Sequence, residues 1–134
     1  MGFARALTPL AACLALAPGG AAAEIVFLGL PQSRVIAHEG ATQREDLAPG
    51  ARTDAATLIS RTPQGFAWTS RGDIPHSRTT SGIYEIYTAP GGAGFIKIQT
   101  FPLPGEDPGA RPCLEVIHQH LVTITHFGTG SPQP

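Results

Sequence analysis

The segment His118-Gln119-His120 carries the residue types and spacing best suited to chemistry. On a β-strand, residues i and i+2 point to one face, so both imidazoles can reach one zinc or copper ion. A third ligand would come from His38, Glu39, His76 or Glu115. His126 shares the strand parity, but at about 3.3 Å per residue it lies roughly 20 Å beyond His120. On a helix the two imidazoles would diverge by about 200° and the site would vanish. A surface histidine beside a half-buried one accounts for the same pair without any metal.

The second candidate is Phe66 to His76 (FAWTSRGDIPH), which holds the only tryptophan. Trp68, with Phe66, Tyr84 and Tyr87, offers large contact area and polar handles for a ligand. Arg71 and Arg78, with Arg61, could grip a carboxylate or phosphate bidentately. The competing reading places Trp68 and Phe66 in the core, because so small a domain needs its large apolar residues inside. Arg71-Gly72-Asp73 spells the integrin-binding tripeptide, which is also ordinary loop chemistry.

Other constellations fail on inspection. There is no G-x-S-x-G nucleophile elbow. His38-Glu39 opens like H-E-x-x-H, but Thr42 stands where the second histidine is required. Nothing around Cys113 suggests an environment that would activate it against His118 or His120. Glu106-Asp107 sits between two Pro-Gly pairs and reads as a solvated turn tip. The glycines at 91–94 and 128–130 match no phosphate loop.

The N-terminus states a destination. Arg5 is a positive n-region, Ala6–Ala17 an apolar run, and Ala21-Ala22-Ala23 a small-residue cleavage site before Glu24. Residues 1–23 therefore read as a cleavable secretory signal, and the protein as periplasmic or secreted. Leu10-Ala11-Ala12-Cys13 also resembles a lipobox that would acylate Cys13. That alternative leaves a very short h-region and an apolar stretch, Leu14–Ala17, as the tether, so cleavage after Ala23 fits better. With Cys13 removed, Cys113 is alone and no intramolecular disulfide can form.

The rest of the chain must position any site by folding as one domain. About 110 residues support a single modest core. Ten acidic against nine basic residues, unpatterned, give no footprint for nucleic acid. No run beyond the signal approaches the roughly 18 apolar residues of a membrane span.

Thirteen prolines and sixteen glycines cut the sequence into short pieces, which argues against a helical bundle. Strands are expected at 25–30, 33–38, 57–61, 66–70, 83–89, 95–101 and 116–127. The last could instead start as a short helix near residues 114–121. Residues 39–56 and 102–112 resist assignment as strands. Residues 24–127 form the domain, and 128–134 a disordered polar tail.

Pro90-Gly91-Gly92 marks a hairpin. A register centred on Gly91 pairs Glu85 with Lys97 and Tyr87 with Phe95 on one face. It pairs Tyr84 with Ile98 and Ile86 with Ile96 on the other, apolar face, which should be inside.

These features predict a mainly β domain, a small antiparallel sandwich or partly open barrel. Without a catalytic constellation or cofactor motif, it reads as a non-catalytic binding or interaction module. Its partner would be a protein or small molecule met at Trp68, Arg71, Arg78 and Tyr84. The alternative is a periplasmic zinc- or copper-binding protein using His118 and His120; the third is an unrecognised hydrolase.

Overall fold

The computed structural model describes residues 24–102, 104–105 and 107–133. Residues 1–23, read from sequence as an export signal and including Cys13, and Glu106 lie outside the described residues.

The elements are β1 (Glu24–His38), β2 (Ala41–Asp46), α1 (Pro49–Asp54), β3 (Thr57–Thr62) and β4 (Gly65–Trp68). After them come β5 (Ile74–Ser81), β6 (Tyr84–Thr88), β7 (Gly94–Gln99), β8 (Arg111–Gln119) and β9 (Val122–Pro132). All neighbouring pairs are antiparallel, and β9 returns to pair with β1. The β-rich single domain expected from the sequence therefore forms as a closed eight-stranded barrel with one extra strand. Closure removes the edges of the eight barrel strands, and the extra strand, β2, pairs on one side only.

The length of β1 makes the extra strand possible. Its first part, Glu24–Gly29, pairs with β3, and its last part, Ser33–His38, pairs with β2. β9 runs along the opposite edge of both parts, interrupted by a bulge between Pro31 and Ser33. Among the described residues, no helix is long and apolar enough to cross a membrane.

Several expectations are corrected. No helix forms at residues 114–121. The segment is the end of β8 and a two-residue turn, His120-Leu121, before β9. Pairing with β7 on one side and β9 on the other overrides the local helical pattern. Residues 128–132, read as a tail, are the end of β9 and are paired to β1 and β8. The unassigned segment 39–56 contains both β2 and α1.

The β6–β7 hairpin also differs from its expected register. Ile96 and Ile98 do point inside, and Lys97 stays outside with its ammonium 4.1 Å from the Tyr84 ring centroid. However, Tyr87 pairs with Ile96 and Ile86 with Lys97, one residue from the expected pairing. The loop takes four residues, 90–93, closed by the Ala89 amide on the Gly94 carbonyl at 3.0 Å. β6 is thereby turned over, so Tyr87 and Glu85 face the interior instead of Ile86.

Every second residue of the eight barrel strands points into the barrel, whereas β2 is exposed throughout. Phe27, Ile59, Trp68, Tyr87, Ala89, Ile96, Ile98 and Ile117 form the buried core. Each large side chain there contributes about 1.5–3 kcal/mol by leaving water. Phe27 fits only because its neighbours lack side chains. A Cβ on Gly130 would meet the Phe27 ring and stand 2.7 Å from the Gly29 Cα.

Candidate functional site

The barrel interior is not uniformly apolar. Glu115 is 2% exposed, deep in β8 between Cys113 and Ile117 on the inward face. Three donors converge on it. Trp68 Nε1 donates to one carboxylate oxygen at 2.7 Å. Arg71 Nη2 at 2.6 Å and His126 Nδ1 at 2.8 Å share the other.

Burial works against the Glu115 charge. The hydrogen bond from His126, the charge and hydrogen bond of Arg71 and the bond from Trp68 outweigh it and hold the carboxyl below its usual range. With Glu115 ionised, His126 Nδ1 carries the proton it donates.

Local folding brings these residues together. His126 is the direct cross-strand partner of Glu115 in the β8–β9 ladder. Trp68 ends β4, and the chain then makes a single 3-10 turn, Thr69–Arg71, stopped by Gly72 at φ +82°. That turn is tied to β3: the Leu58 amide donates to Ser70 Oγ at 2.9 Å, and Ser60 and Thr69 share a hydroxyl hydrogen bond. The Arg71 guanidinium is thus folded back onto the barrel end.

One cavity is lined by Arg71 and His126 of this cluster, and a second lies away from it at the chain termini. At the helix end, a cleft of about 430 Å³ is lined by Arg71, His126, Ile117 and Ile124, with Arg34 and with Asp54 of α1. Two buried polar atoms of its lining residues have no partner, Arg71 Nε and His126 Nε2. An unmet buried donor or acceptor costs about 1–3 kcal/mol.

At the termini end, the barrel mouth forms a cavity of about 520 Å³. Its apolar lining is Phe27, Phe66, Tyr87 and Ile98, and its charged rim is Arg61, Arg78, Arg111, Glu24 and Glu85. The Arg61 and Arg78 guanidiniums lie 5.6 and 5.1 Å from the Phe66 ring centroid. Tyr87 meets Phe66 edge-on at 5.2 Å and donates its hydroxyl to Glu85 at 3.0 Å. Burial and then Glu85 push the Tyr87 phenol up to about 12, against the opposing pull of Arg78.

His76 lies between these two regions. It is 7% exposed, 5.0 Å from the Trp68 ring, and neither ring nitrogen has a partner. Burial pulls it down to about 4, against the opposing charge of Glu115. Cys113 is pushed up to about 12 by burial and then by Glu115, so its thiol is poorly suited to nucleophilic work.

The residues singled out in the sequence are dispersed. Trp68, at 1% exposure, is a core residue and Glu115 donor rather than an exposed ligand face. Arg71 belongs to the buried cluster, so the Arg71-Gly72-Asp73 tripeptide does not offer its guanidinium to a receptor. Arg78 is on the rim of the termini-end mouth. Tyr84 is on the outer surface under Lys97.

His118 is exposed and 3.3 Å from Thr123 Oγ1, whereas His120 occupies the β8–β9 turn at φ +53°. The strand that would have aligned them ends at Gln119, so the alignment is lost. Among the described residues, no group of three or more His, Cys, Asp or Glu side chains could hold a metal ion. The chain matches no family model, and neither a curated protein nor a solved structure shows significant similarity to it.

Sequence reasoning missed Glu115 and His126 as partners. A signal existed for the first: Glu115 is the lone acid in Cys-Leu-Glu-Val-Ile, at the same parity as Cys113 and Ile117. A carboxylate at an inward strand position needs donors to offset its burial.

Proposed function

We propose that this protein is an exported small-molecule-binding barrel that takes its ligand in the termini-end mouth. The observation that carries the reading is the 520 Å³ cavity with an aromatic and aliphatic floor under three arginines. Ligand sites are typically concave and furnished with convergent polar groups that fix orientation. Three guanidiniums against two carboxylates leave the rim net positive. The complementary ligand has an apolar body and one anionic head. Arg78, Arg61, Phe66 and Tyr87, all named from sequence, line this mouth. Export is supported by the signal-like residues 1–23.

Octyl sulfonate, permanently charged and amphiphilic, is the direct probe. Titration should raise the melting temperature saturably, and Arg78→Ala with Arg111→Ala should weaken binding about tenfold or more. Absence of saturable binding to the unaltered protein would overturn the reading, as would equal binding by the double variant.

A further inference from the structure

We propose, resting on the reading of the termini-end mouth as an amphiphile site, that this end of the barrel docks on an anionic lipid bilayer. Three exposed apolar side chains, Ile25, Ile83 and Phe101, stand here. Ile25 lies between Glu24 and Val26, which both line the mouth. Ile83 sits in the β5–β6 turn, where its carbonyl accepts from the Thr100 amide at 2.8 Å and the Thr100 hydroxyl at 2.9 Å. Thr100 lines the mouth, and Phe101 follows it in the chain. The strand order puts β1 four strands from β6 in either direction, half-way round the barrel. Ile25 is therefore across the opening from Ile83 and Phe101.

Cations stand between these apolar groups. Arg61 of β3 and Arg78 of β5 lie on one arc of the rim, and Arg111 of β8 on the other. Apolar side chains separated around an opening do not make the contiguous packed core of a protein interface. They suit a fluid surface, which each can enter on its own. Arginine suits the same surface, because its stem lies along apolar groups while its head stays among phosphates.

Two carboxylates share the rim. Glu85 accepts the Tyr87 hydroxyl and lies 3.9 Å from Arg78, and Glu24 opens β1. Asp107, in the adjoining loop, accepts the Gly109 amide and lines a different cleft. Arg111 is held by the carbonyls of Pro108 and Ala110, which carry no net charge to cancel its own. Three guanidiniums against two carboxylates complement a negative headgroup layer. Docking by this end would bring the mouth to the surface where amphiphiles with an anionic head reside.

Co-sedimentation of the exported, untagged protein with phosphatidylcholine vesicles, with and without phosphatidylglycerol, is the test. Binding should require the anionic lipid. It should fall severalfold as salt rises from about 0.1 M to about 1 M, which shortens the Debye length from about 10 Å to about 3 Å. Ile83→Ser with Phe101→Ser should weaken binding about tenfold or more. Both positions are exposed, so the double variant should melt near the parent temperature. Leu121 is the control: it is 80% exposed, in the β8–β9 turn at the opposite end, where general stickiness would act first. Leu121→Ser should leave vesicle binding unchanged.

No binding to anionic vesicles would overturn the docking surface. So would equal binding without phosphatidylglycerol, equal binding by the double variant, or loss of binding in Leu121→Ser. Octyl sulfonate titrated without vesicles reports the mouth alone, and the double variant should still bind it. Failure of the docking surface is thereby visible apart from failure of the mouth.

Discussion

Glu115 shows how one residue can hold a barrel end together and endanger it. Its three donors satisfy a charge that burial would otherwise expel. Glu115→Gln keeps the shape but leaves Arg71 without its counter-charge, and should cost about 3 kcal/mol in urea unfolding. Trp68→Phe keeps an aromatic side chain but deletes Nε1–H and part of the buried indole, so an unmet carboxylate oxygen costing about 1–3 kcal/mol adds to the cost of the cavity left behind. A loss below about 0.5 kcal/mol in either variant would mean that the cluster is solvated in solution. Part of this constellation was legible in the sequence. Trp68 and Arg71 stood out because Trp68 is the only tryptophan of the sequence and Arg71 follows it three residues on. His126 was set aside for its distance from His120, a comparison along one strand, whereas its true partner lies on the next. Cross-strand neighbours depend on a register that a single sequence seldom fixes.

The strands repeat this lesson. Those with clear apolar content, such as β3, β6 and β7, were readable because β-branched and aromatic residues mark a half-buried surface. β2 (ATQRED) was not, since every residue in it is exposed and alternation has nothing to report. β5 was missed for a related reason: only His76 is fully buried among its residues, and its apolar partners lie on other strands. Glycines carry the other constraint on the elements. Gly130→Ala would drive a methyl into Phe27 and the β1 backbone at the seam that closes the barrel. It should cost about 1–3 kcal/mol or more. Gly50→Ala, in α1 with nothing within 4 Å of the added carbon, should instead stabilise by about 0.5–1 kcal/mol. Parallel thermal melts of the two variants test the assignment, and the same sign of change in both would contradict it.

The molecule as a whole should be acid-sensitive through His76. Its native value of about 4 lies below its ordinary 6.5, so the unfolded chain binds this proton more tightly. The contribution is complete above about pH 6.5 and fades as the pH falls through about 4, amounting to about 3 kcal/mol in all. Unfolding measured at pH 7 and pH 4.5 should show the loss, and His76→Phe should flatten that part of the profile. A His76→Phe profile as steep as the parent's would assign the sensitivity to other groups. The Glu115 carboxyl adds a loss of the same sign at lower pH, since its native value is also depressed.

Glu24 and Gln133 both line the same mouth, so the two ends of the described chain stand at the rim of the cavity. A purification tag fused to either end would begin within reach of that opening and could sit where a ligand should. Binding measured on a tagged preparation would then report competition with the tag. The exposed Glu39–Gly40 turn, at the far end of β1, is the safer place for a label.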